Sequence, residues 1–138
     1  MEVISQSRGS ILDDVKKMLG LDTDYQAFDQ DIIIHINSVF STLRQIGFGP
    51  ESGFRISSSN ESWFDLYGDE PKWSFVKDLV YCKVRIAFDP PQNSFGIDAL
   101  NKQIDELTWR IHFEQELDTA KKNKELSETK ERELDVWG

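Results

Sequence analysis

Two proline stops frame one apolar segment of helix length, and the rest of the chain has to be arranged around it. Pro71 suits the first position of a helix, where its missing N–H is not needed. Asp89-Pro90-Pro91 ends any helix that reaches it, because proline lacks the N–H and pushes the preceding residue out of helical backbone. Between these stops, Phe75, Val76, Leu79, Val80, Val84, Ile86, Ala87 and Phe88 cover a broad arc of a helix over 72–88. A helix that is apolar over so wide an arc buries more than one side. The segment therefore predicts a central core helix with others packed around it.

The flanks supply those partners. Ser10 is a cap residue and Asp13 places a carboxylate in the first turn, near the positive end of the helix dipole. Ile11, Leu12, Val15, Met18 and Leu19 share one face, and Gly20 can close a helix over 11–19. A second helix is expected over 24–46, with Phe28, Ile32, Val39, Leu43 and Ile46 near helical spacing and Ala27, Ile34 and Phe40 widening the stripe. Ile32-Ile33-Ile34 is β-branched, but its flanks keep the helical period. After Ser94, Ile97, Leu100, Ile104, Leu107 and Ile111 alternate spacings of three and four, a narrow seam of coiled-coil type. The seam fails where Glu114 and Asp118 take its next positions, and Trp109 and Phe113 lie off it.

Residues 47–70 read as a long loop. Gly47, Gly49, Pro50 and Gly53 punctuate it, Phe54-Arg55-Ile56 could form a short strand, and Ser62–Tyr67 one or two helical turns. From 114 to 138 there are eight acids and five bases with few apolar residues, too little to build a core. The expected fold is mostly α: a small bundle of about four helices with a long loop and a flexible C-terminal tail. Residues 1–10 would be a flexible arm or an expression remnant, 11–113 the helical domain, and 114–138 a charged C-terminal extension, frayed or extended and mobile from about residue 118.

Charge and motif content narrow the function. The formal net charge of −9 argues against gripping a phosphate backbone, which needs clustered cations. A single cysteine, Cys82, allows neither an intrachain disulfide nor a multi-cysteine metal site, and its apolar neighbours suit an inert thiol. His35 sits among isoleucines as a partly buried structural residue, and His112 beside the seam as an exposed one. Neither belongs to a metal-ligand spacing, and no glycine-rich phosphate loop is present. Neither a catalytic residue nor a metal ligand nor a cofactor is assigned. No apolar run approaches the ~20 residues that cross a bilayer, and the first residues lack the apolar stretch of a secretory signal.

Two features point to assembly. Phe48, Phe54, Trp63 and Phe64 are large apolar side chains in a polar, glycine-punctuated loop, and are expected at a subunit or partner interface. The tail carries Leu134, Val136 and Trp137 at its end, the makings of a short anchor that orders in a partner's groove.

The run Val80-Tyr81-Cys82-Lys83-Val84-Arg85-Ile86-Ala87-Phe88-Asp89-Pro90-Pro91, followed by Ala99-Leu100-Asn101-Lys102-Gln103-Ile104-Asp105-Glu106-Leu107-Thr108-Trp109-Arg110-Ile111, resembles the head–tail connector (adaptor) proteins of tailed bacteriophages and prophages of Gram-positive hosts. The loop Gly47–Phe54 with Glu61-Ser62-Trp63, the opening helix ending at Leu19-Gly20 and the Val-Trp-Gly ending resemble theirs too. Thr108 departs from an acid in that pattern, and Cys82 from a leucine. The resemblance implies a non-enzymatic virion neck protein, made in the host cytoplasm. It would assemble as a ring, commonly of twelve, beneath the portal protein, extend the DNA channel and join capsid to tail. Its partners would be the portal, reached by the carboxy-terminal segment at Leu134, Val136 and Trp137, and the next neck or tail-completion protein. DNA would pass through an acidic channel without specific binding. The alternative reading is a small acidic regulator that binds a host protein or mimics DNA.

Overall fold

The structure, a computed structural model, describes residues 8–137, with side chains through Leu134. It is 69% helical. In chain order come α1 (Ile11–Met18), α2 (Asp29–Gln45), the short α3 (Trp63–Tyr67), a 3₁₀ turn at Pro71–Trp73, α4 (Val76–Phe88) and α5 (Ser94–Trp137). Among the described residues there is no strand, only an isolated antiparallel bridge between Ser10 and Ser62. Among the described residues no helix is long and apolar enough to cross a membrane.

Helix α4 is the centre, packed against α1, α2 and α5. Val76, Leu79, Val80, Cys82 and Val84 are buried along it, and the chain leaves it at Asp89, directly before Pro90. The Pro71 end differs in detail. Pro71–Trp73 winds as a 3₁₀ turn, and the α-helix begins only at Val76.

Helix α1 starts as its sequence suggests, with the Ser10 hydroxyl accepting from the Asp13 N–H at 3.2 Å. It ends at Gly20, whose φ of 81° is a left-handed conformation that glycine adopts without strain. Sequence read residues 1–10 as a flexible arm or an expression remnant. Here the Gly9 carbonyl accepts from the Trp63 N–H at 3.3 Å, the Glu61 carbonyl from the Ile11 N–H at 3.0 Å, and Arg8 lies over the Phe64 ring. The rest of that expected arm, residues 1–7, lies outside the described residues.

Helix α2 begins at Asp29 rather than 24. The Asp22 carboxylate accepts from the Asp24 N–H at 3.0 Å, and the Lys16 ammonium donates to the Thr23 carbonyl at 2.9 Å. Those bonds turn residues 22–24 and divert a carbonyl a helix would have used. Along α2, Ile32, Ile33, Ile36, Val39, Phe40 and Leu43 are buried, whereas Ile34 faces outward. Phe54-Arg55-Ile56 is not a strand. The Asn37 side chain takes the place of a neighbouring strand: Oδ1 accepts from the Ile56 N–H at 2.8 Å and Nδ2 donates to the Ile56 carbonyl at 2.9 Å.

Helix α5 buries Leu107 and Ile111 and half-buries Ile97, Leu100 and Ile104, so the seam is real. It does not stop where the seam stops. The helix runs unbroken through Trp137, so residues 114–137 are helical rather than frayed or extended.

Candidate assembly surfaces

The loop between α2 and α4 is held from inside. Gly47, with a φ of 87°, turns the chain out of α2 and sets Phe48 edge-on against Trp73, their ring centres 4.8 Å apart. Phe54 packs on Phe40 in the same manner at 5.4 Å. Trp63 has no exposed surface: its indole N–H donates to the Asp14 carboxylate at 2.8 Å, and Lys77 lies over its ring. The Ser62 hydroxyl and the Asp65 carboxylate cap α3 reciprocally, which fixes Trp63 at the start of that helix. Glu61 ties the preceding turn. Burial pushes its carboxyl up, but bonds from the Ser57 N–H, its own N–H, the Ser57 hydroxyl and the Ser58 N–H outweigh that and hold it below its ordinary value.

The four aromatics that sequence assigned to an interface are thus divided. Phe48 and Trp63 are buried in the core of this chain. Phe54 is half-buried, and Phe64 keeps 40% of its surface under the Arg8 guanidinium. The exposed aromatic surface lies elsewhere. On α5, Trp109 and Phe113 stack with ring centres 5.2 Å apart and planes 11° from parallel, yet stay 63% and 45% exposed. Leu117, one turn further on, is 49% exposed. The residue-by-residue signal was visible, since both rings fall off the seam. What sequence reasoning missed was that they form a second apolar stripe.

An ion pair marks where α5 leaves the body. Lys72 reaches Asp118 at 2.6 Å. The hydrogen bond to Asp118 raises the Lys72 ammonium above its ordinary value, with the carboxylates of Asp118, Glu70 and Glu114 adding to it against slight desolvation. Sequence had left nothing to hold the chain from 114 onward, and this contact does so up to 118. From Thr119 to Leu134 every residue is exposed. Leu134 is among them, at the solvent-facing end of the extension. The side chains of Val136 and Trp137, the other two anchor residues expected from sequence, lie outside the described residues, although the backbone there is helical.

Reactive chemistry is sparse in the described part. Burial raises the Cys82 thiol, helped by the Asp78 carboxylate and opposed by Arg85. Burial and the Asp14 carboxylate push the Tyr67 phenol up to about 12. Both groups are moved away from the ionised forms a nucleophile needs. His35, half-buried on α2, borders an open groove of about 320 Å³ between α2, α4 and α5. His112, exposed on α5, lies 3.7 Å from Glu116. Among the described residues no three His, Cys, Asp or Glu side chains are grouped to hold a metal.

In comparison with known proteins, a family model described as a phage connector protein matches residues 11–118. The matched span begins at the first residue of α1 and ends at the residue that Lys72 pins. No curated protein and no solved structure matches the chain.

Proposed function

The chain belongs to the phage connector protein family, a structural head–tail connector component of a virion, and from that premise we propose that it forms a ring beneath the portal. The ring extends the DNA channel and joins capsid to tail, with the portal on one side and the next neck or tail-completion protein on the other. The usual number in such rings is about twelve, and the ring is laid down in the host cytoplasm as heads mature. The resemblance of 80–111 to adaptors of phages from Gram-positive hosts supports a host of that kind.

One observation carries this reading: the family match covers the folded body and stops where α5 projects alone. Beyond Asp118 the helix continues for about five turns, and its described side chains, from Thr119 to Leu134, are all exposed. It gains its apolar contacts only from a partner. Leu134, Val136 and Trp137 are the anchor of that helix on the portal, and the loop residues Phe54 and Phe64 contribute to a neighbouring contact at the body. The charge of −9 suits a channel wall along which DNA slides without sticking. The role needs no bond-making chemistry from the protein.

Co-sedimentation with the purified portal of the same phage tests this. Deleting 134–138 is expected to leave the melting temperature within about 1 °C, because nothing described packs there, and to weaken portal binding at least tenfold. Such a loss is about 1.4 kcal/mol, well within what a pocketed Trp supplies. Equal portal affinity for the full and shortened chains would contradict the anchor.

A further inference from the structure

We propose that neighbouring subunits of the ring meet by inserting the Trp109–Phe113–Leu117 stripe of one copy into the α2–α4–α5 groove of the next. The inference rests on the ring reading above and names the surfaces that would close it. Trp109 and Phe113 each lie two residues from the buried Ile111, roughly 200° around the helix, so their stripe points directly away from the core. With aromatic side chains carrying about 150–250 Å² each, the stripe leaves on the order of 350 Å² of contiguous apolar surface in water.

The groove is the natural receptor. It is about 320 Å³ in volume and lined in part by Val39, Lys83, Ile86 and Ile104. That volume falls in the range that holds ligand-sized groups. Ile86 and its neighbour Ala87 belong to the broad apolar face of α4, but the core does not bury them fully. The face is wider than this chain can cover. The charges also match. Lys83 brings a cation to the groove, and the exposed Trp109 ring of the stripe offers it an aromatic face; Glu106 and Glu116, on the same helix, are engaged by Arg110 and His112. Stripe and groove are different patches of one surface. Each copy therefore carries both halves of the contact, which propagates head to tail and closes into a ring when the rotation allows. A patch of this area is smaller than the ~800 Å² per partner of a stable standard interface, so pairwise contact is weak and needs the portal as a template.

The test uses portal-bound chain. A chain carrying both Arg110→Cys, beside the stripe, and Ser38→Cys, on the rim of the groove, with Cys82 buried out of reach, is oxidised on the portal and run without reductant. The expected result is a ladder extending past the dimer. In parallel, Trp109→Ser/Phe113→Ser should melt like the wild type, bind its first copy normally, and need at least tenfold more protein to fill the portal. A full ring with no ladder and with normal filling by the double-Ser chain would overturn the stripe–groove contact and leave the ring standing. Loss of the first copy's binding would also overturn it, by showing that the stripe docks on the portal. A portal that never carries more than one copy of the wild-type chain would overturn both readings.

Discussion

Replacing Asn37 with alanine should cost far more than the loss of one surface-loop contact. Asn37 is 8% exposed and its partner Ile56 is 3% exposed, so water cannot readily replace either group. Two bonds disappear together, at 2.8 and 2.9 Å, and both backbone groups of Ile56 are left unsatisfied. Each stranded group costs about 1–3 kcal/mol, which puts Asn37→Ala at roughly 2–6 kcal/mol. Against a total stability of about 5–15 kcal/mol that is a large fraction. At roughly 3–5 °C per kcal/mol for a domain of this size, the melting temperature should fall by about 6–30 °C. Urea unfolding followed by tryptophan fluorescence measures the loss directly, and an unchanged slope would confirm that the native state stays compact. Hydrogen exchange at Ile56 should quicken along with it. A loss below about 1 kcal/mol for Asn37→Ala would refute the claim that this side chain stands in for a strand.

Three further outcomes are expected. Leu79→Ala, at a site 1% exposed in the central helix, should cost about 2–5 kcal/mol by calorimetry; a wild-type melt would remove α4 from the core. Lys16 is 1% exposed and 2.8 Å from Asp29, which is 21% exposed; Lys16→Met should cost about 2–3 kcal/mol by leaving that carboxylate unpaired, and Lys16→Met/Asp29→Leu should recover much of it, whereas equal losses would deny the coupling. The Glu61 carboxyl is held below its ordinary 4.5, so it stabilises the folded loop above that pH and the contribution is lost as pH falls through the lower folded value; exchange at Ser57 and Ser58 should rise there in the wild type, and Glu61→Gln should flatten that dependence.

The central helix was readable because its C-terminal limit is covalent. Pro90-Pro91 acts locally, and the apolar arc before it needs no knowledge of the rest of the chain, whereas Pro71 opens only a 3₁₀ turn and the α-helix starts at Val76. The start of α2 was not, because it is set by a lysine that reaches from α1 to the Thr23 carbonyl, a contact across seven residues with no periodic signature. The burial of Trp63 within its own chain was not legible for a related reason. Trp63 is buried through Asp14, 49 residues away, and a glycine-rich neighbourhood says nothing of that distance. The extension was misread by asking only about burial. Its lysines, glutamates and leucines are strong helix formers, and oppositely charged pairs such as Glu128 and Arg132 stand four residues apart. Propensity and pairing thus favour helix without any core. The outward stripe of α5 was half legible: sequence put Trp109 and Phe113 off the seam, but only their stacking shows that they share a surface.

The count of chains on the portal is the most direct test of the ring. Native mass spectrometry or electron microscopy of the portal saturated with this protein should give one closed ring, about twelve copies in register around the channel, with α5 directed toward the portal. A saturated complex holding one or two copies, or copies bound without contact between them, would contradict the account.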